Sequence, residues 1–216
     1  MSVSTQTARR IPPFLYLLFC LTGNSVFSAE EELSRVRIST EYTSQVNVYV
    51  QELENLERRF GPSDWSLLEP LDALISLHSS VDDFEEINSL LGRQLQLVHV
   101  TEGPNAFSQL PILESLIRNN LEINNFESVT NNFENRQYVF LQNPDSSLEQ
   151  KLASMDDLRN WYLTAFNLDN KQNRLPYFMK SRSLLQQMLA VASDAYEEKE
   201  ERMVPLLYKE ALEKYY

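Results

Sequence analysis

Hydrophobic residues recur along this chain at steps of three and four, the spacing that places side chains on one face of an α-helix. Residues 43–60 carry Val46, Val50, Leu53, Leu56 and Phe60 in this pattern. Residues 66–79 carry Leu67, Leu68, Leu71, Leu74, Ile75 and Leu77, and residues 83–100 carry Phe84, Ile87, Leu90, Leu91, Leu95 and Val98. The pattern continues to the C-terminus between short polar breaks. It predicts helices of roughly 12–20 residues joined by short turns, and hence an all-α protein.

The pattern itself repeats. LEPLDALI at 68–75 returns as LPILESLI at 110–117, and a fainter copy, LASMDDLR, begins at 152, so the period is 42 residues. The same shift pairs Gly61-Pro62 with Gly103-Pro104, Trp65 with Phe107, Phe84-Glu85 with Phe126-Glu127, and Leu91 with Phe133. It carries Leu113 to Met155, Leu116 to Leu158 and Phe126 to Leu168, and the register fails after about residue 170. Each unit reads as turn, helix A, short turn, helix B. Ser66 and Ser108 are placed to cap helix A, and SLLE at 66–69 has capping-box spacing. The Gly-Pro pairs stop the preceding helix B. Two helices of this length cannot bury their apolar faces alone, so neighbouring units must stack.

The N-terminus follows a different logic. Residues 1–9 contain no acid, Arg9-Arg10 and Pro12-Pro13 follow, and FLYLLFCL at 14–21 is apolar before the chain turns polar and acidic. A basic flank, a short apolar run and a small-residue exit predict an export signal over 1–28, cleaved after Ser28. An uncleaved N-terminal anchor is the alternative. The apolar run is shorter than the roughly 20 residues of a spanning helix. Cys20 follows Phe19, not the small residue of a lipoprotein site, and the sequence after Arg9-Arg10 departs from a twin-arginine signal.

Removing 1–28 takes two arginines and no acid from a chain of 19 basic and 31 acidic residues. The remaining charge is then 17 − 31, or −14. The only cysteine also goes, so disulfides and thiol nucleophiles are excluded. A cysteine-free exported chain points to a bacterial envelope, periplasmic or secreted. Strong acidity argues against nucleic acid and against an anionic membrane surface. Only three glycines lie beyond residue 28, too few for sandwiches, barrels or dinucleotide-binding folds.

The units resemble tetratricopeptide repeats (TPRs) of the 42-residue, kinesin-light-chain-like kind. LDALISLHSSVDDFEEINSLLGRQLQL at 71–97 follows that family's succession of Leu-x-x-Leu, Asp-Tyr/Phe-x-x-Ala and Arg-x-Leu. It departs where the family has small residues, with Ile75 or Ile117 in helix A and Ile87 or Val129 in helix B. The resemblance covers about 43–170. It implies a helix-turn-helix solenoid serving as a protein-binding scaffold without catalysis. Residues 29–42 then form a linker or N-terminal extension, and 171–216 a helical C-terminal cap.

The resemblance also implies a concave groove lined by helix A. Its inward positions are Asp72, Glu114 and Asp156, then Ser76, Arg118 and Asn160, then Ser79, Leu121 and Leu163. An acidic row suits lysine or arginine on an extended peptide. Apart from Arg118, the basic residues that clamp peptide carboxylates in some relatives are absent. The same acids equally suit a solvated face of an acidic protein.

Candidate chemistry is otherwise sparse. His78 takes a helix A position where the family packs a tyrosine, and His99 lies near the end of helix B. The two histidines, without an HExxH pattern, predict no metal site, and no glycine-rich phosphate loop or cofactor motif is present. The asparagines of NNLEINNFESVTNNFENRQ at 119–137 suggest ice or sugar binding. They fall outside the apolar helical positions and are expected to be exposed polar filler. At the C-terminus, residues 175–202 read as one amphipathic helix. PLLYKEALEKYY then reads as a terminal lid, or as a partner site through Leu206, Leu207, Leu212 and Tyr215. The reading is a non-enzymatic protein-interaction scaffold. An all-α envelope enzyme using groove carboxylates, and an envelope structural or assembly subunit, are the competing readings.

Overall fold

The computed structural model describes residues 17–168, 174–196 and 201–214. Among them are eight α-helices and no strand: α1 (Leu17–Phe60), α2 (Leu68–Ser79), α3 (Phe84–Glu102), α4 (Gln109–Glu122), α5 (Phe126–Gln142), α6 (Leu148–Leu168), α7 (Arg174–Ala195) and α8 (Val204–Lys214). Single 3-10 turns, Trp65–Leu67 and Glu201–Met203, lead into α2 and α8. Among the described residues no helix is long and apolar enough to cross a membrane.

The chain divides into two units, Met1–Val48 and Tyr49–Tyr216. In the first, the described residues belong to α1. Arg9, Arg10, Pro12 and Pro13 of the expected export signal lie outside the described residues, and residues 29–42 are helical.

The second unit is the all-α hairpin array that the period predicts. From α2 to α8 each helix packs on the next in sequence. The pairs run antiparallel. Early α2 meets late α3 through Asp72 and Gln94, while late α2 meets the start of α3 through His78 and Asp83. Likewise Phe166 packs on Phe178 at one end of the α6–α7 pair, and Tyr196 reaches Glu149 at the other.

The 42-residue repeat extends to the backbone torsions. Gly61 and Gly103 end α1 and α3 at φ of 93° and 95°. Asp82 and Asn124, in the A–B turns, both take positive φ, at 55° and 54°. The next residues, Asp83 and Asn125, share φ near −80° and ψ near 72° and cap α3 and α5 through their side-chain oxygens. Asp and Asn tolerate the left-handed conformation because their short side chains bond locally. The core follows the same period. Leu71, Leu113 and Met155 are buried, as are Leu74, Leu116 and Leu158 below them.

Three expectations fail locally. Ser66 and Ser108 do not cap helix A. Ser66 lies inside a 3-10 turn capped by Asp64, to which it donates at 2.6 Å, and Ser108 donates to Glu102 instead. The capping box falls at Ser147 and Gln150, each side chain accepting from the other's backbone N–H. The third hairpin lacks the early A–B turn. Its equivalent of Asp82 and Asn124 is Phe166, a bulky residue for which positive φ is costly, and α6 continues to Leu168. Lastly, α7 ends at Ala195. Residues 197–200 of the acidic run lie outside the described residues, as does Tyr215.

Met203 and Leu206 bury α8 against the array, in a core with Trp161, Leu185 and Met188. This agrees with a terminal lid. Leu207 and Leu212 are exposed.

Candidate functional site

A groove runs between α2 and α4, with α3 as its floor. One stretch, of about 360 Å³, is walled by Trp65, Leu68, Asp72 and Ile75 on one side and Pro111, Ile112 and Ser115 on the other. Leu91, Gln94 and Val98 form its floor. A second stretch continues past Ile75 to Ser79, with Arg118, Asn119 and Glu122 on the α4 side and Ile87 below. The lining is mainly apolar, with Asp72, Ser79 and Arg118 exposed at the rim and the Gln94 amide buried in the floor. This combination suits a ligand anchored by apolar side chains and oriented by a few polar contacts. Trp65 is 48% exposed, so an aromatic surface stands open at one end.

The acidic row divides among different surroundings. Asp72 lines the groove and accepts a 2.7 Å hydrogen bond from buried Gln94. Glu114 lies 3.8 Å from Arg136 and is exposed. Arg136 also bonds Asp157 and stands over the Phe133 ring. Gln94 and Arg136 occupy equivalent helix B positions, each 22 residues beyond its acid. The third equivalent is Phe178, and there Lys209 of α8 bonds Asp156 instead. Two acids of the row thus have a cation within the chain, and Asp72 has an amide.

The polar second row is more dispersed. Arg118 lines the groove and donates to Ser115 at 3.1 Å. Ser76 is exposed and donates to the Asp72 carbonyl at 2.9 Å. Asn160 is exposed, its carbonyl accepting from Thr164 at 2.9 Å. In the third set Ser79 lines the groove, Leu121 is exposed and Leu163 is half-buried. The groove therefore brings together Asp72, Ser79 and Arg118. Ser76, Glu114, Asp156 and Asn160 do not line it.

Sequence reasoning passed over Trp65, Leu68, Ile75 and Ile112, assigning the apolar ones to the core. Ile75 and Ile112 are only half-buried because they form facing walls. An aromatic residue in the turn before helix A was the available signal for Trp65.

His78 packs as expected, Nδ1 lying 3.0 Å from Asp83 Oδ2, and His99 is exposed. Among the described residues no three His, Asp or Glu side chains gather where they would hold a metal ion. The asparagines depart from the exposed-filler expectation. Asn119 is buried and donates to the Phe84 carbonyl at 2.8 Å. Asn120, also buried, exchanges hydrogen bonds with Asn88. These amides bond α4 to α3.

No protein-family model and no curated protein matches the chain. Among solved structures, it is similar to the nearly identical TPR-like repeats of a candidate kinesin light chain from Podosopora anserina. The identity is 15% and the TM-score 0.48, over 84% of this chain and 82% of that one. A single-substitution variant of that protein matches at 15% identity and a TM-score of 0.47, with the same coverage.

Proposed function

We propose that the chain is an exported, non-enzymatic protein-interaction scaffold of a bacterial envelope, and that the groove between α2 and α4 holds a segment of its partner. The apolar lining of that groove carries the reading. Trp65, Leu68, Ile75, Leu91, Val98 and Ile112 line an open surface, where apolar side chains of a partner lose contact with water. Asp72 stands at the rim with the Gln94 amide as its partner, so a lysine or arginine of the segment is favoured there. The acids of the row meet Gln94, Arg136 and Lys209 rather than one another. That arrangement fits binding better than paired-carboxylate catalysis.

Selection of displayed peptides on the intact protein tests this. The enriched peptides are expected to combine apolar residues with a lysine or arginine. Ile112→Glu places a charge in the apolar wall and is expected to weaken the selected peptides at least about tenfold. Asp72→Asn is expected to remove the preference for the basic residue while leaving apolar selection in place. Equal binding of the selected peptides by wild type and Ile112→Glu sinks the proposal.

A further inference from the structure

A second cleft, of about 370 Å³, opens where α3, α4 and α5 meet, on a different face of α4 from the groove. Six polar residues line it: Asn88, Asn120, Asn125, Ser128, Asn131 and Asn132. Leu116 is the single apolar member of the lining, and no charged side chain contributes.

Part of this lining is fixed in place. Asn120 Nδ2 donates to Asn88 Oδ1 at 2.9 Å and to the Leu116 carbonyl at 2.8 Å, while Asn88 Nδ2 donates back to Asn120 Oδ1 at 3.3 Å. Asn125 Oδ1 is held by the Ser128 N–H at 3.2 Å. The α5 side is where hydrogen-bonding capacity remains. Asn125, Ser128 and Asn132 recur at steps of three and four along one helical face, with Asn131 beside them. Each carboxamide offers two donors and an acceptor.

The first repeat forms the same hairpin with other side chains at these positions. One period earlier, Asn132 corresponds to Leu90, which is buried in the core. Asn120 and Asn125 correspond to His78 and Asp83, which bond each other. Asn131 corresponds to Ser89. Repeat two thus replaces an apolar packing residue and a closed polar pair with amides where the cleft opens.

We infer that this cleft is a binding site for a neutral saccharide. The uncharged lining gives no counterion to an ionic ligand. A sugar hydroxyl donates and accepts at once, as a carboxamide does, so the two pair in either direction. Three helices contribute to this open cleft, and its amides and hydroxyl lie close together on it, a span that suits a short oligosaccharide. The lining holds no aromatic ring for sugar stacking, so the affinity expected is weak, in the millimolar range.

Side-chain NH₂ resonances of the asparagines in the intact protein, followed by NMR, test the site directly. The probes are maltotriose, cellotriose and the trimer of N-acetylglucosamine, with a blocked glycine tripeptide as a main-chain mimic. A saturable shift of the Asn131 and Asn132 signals with at least one saccharide is expected. Asn131→Ala, at an exposed position, and Asn132→Leu, which restores the residue of the first repeat, are each expected to weaken that binding about tenfold. Their backbone spectra should otherwise match wild type. The inference is overturned if no saccharide shifts these signals, if only the tripeptide does, or if binding survives both variants unchanged.

Discussion

Gly92, Gly103 and Thr130 show how one atom group decides stability at single positions. Gly103 sits at φ 95° and ψ 169°, a region open almost solely to glycine. A Cβ there meets nothing within 4 Å, so the cost of Gly103→Ala is backbone strain alone, about 1–3 kcal/mol. Gly92 lies within α3, also with open space around a Cβ. Gly92→Ala is therefore expected to stabilise by about 0.5–1 kcal/mol. Urea unfolding midpoints should move in opposite directions for the two alanines. At Thr130, the hydroxyl accepts from the buried Trp161 Nε1–H at 2.9 Å and donates to the Phe126 carbonyl at 2.8 Å. Thr130→Val keeps the shape but leaves the indole donor buried without its acceptor, a loss of about 1–3 kcal/mol in the same assay. At this scale the sequence was only partly legible. Asn119 and Asn120 looked like surface residues because they are polar, yet buried amides that find partners are stable.

Between elements, polar contacts join helices of neighbouring hairpins. Glu134 of α5 accepts from Tyr162 of α6 at 2.7 Å and from Lys180 of α7 at 2.8 Å. Burial pushes the Glu134 carboxyl up, but the two hydrogen bonds and the Lys180 charge outweigh this and hold it below its ordinary value. A carboxylate depressed in the folded state contributes stability above its unfolded pKa and loses it as pH falls through the folded one. Unfolding free energy measured from neutral pH downward should therefore decline through and below the ordinary glutamate range. Glu134→Gln should be less stable at neutral pH and show a shallower acid decline; parallel curves for the two proteins would refute the assignment. The helices themselves were legible because their apolar spacing and turn residues are local signals. The run-on of α6 was not foreseen, although Phe166 stands where Asp82 and Asn124 make the turn. Two partners of the acidic row keep one 22-residue spacing, but the third, Lys209, comes from α8, 53 residues beyond Asp156 and outside the period.

In the stack as a whole, interior helices pack on neighbours both before and after them, whereas α8 ends the described chain and packs on what precedes it. Stability in such arrays is nearly a sum of neighbour terms, so an end element can open without the middle. Two kinds of contact hold α8. Arg202 with Glu149 and Lys209 with Asp156 are both 53 residues apart, which aligns α8 with α6 in the same direction. Both pairs are at least partly open to solvent. Exposed pairs contribute about 0–1 kcal/mol each. Burying Met203 and Leu206 is worth about 1.5–3 kcal/mol per side chain, so apolar contact dominates the docking. Leu206→Asp should accordingly release α8, whereas Lys209→Gln should leave it docked. Amide hydrogen exchange distinguishes the cases. In Leu206→Asp, amides of 204–214 should exchange rapidly while α3, α4 and α5 keep wild-type protection; in Lys209→Gln both regions should stay close to wild type. Loss of protection throughout α3 to α5 in Leu206→Asp would mean that the array unfolds as a single cooperative body, contrary to the neighbour-by-neighbour account.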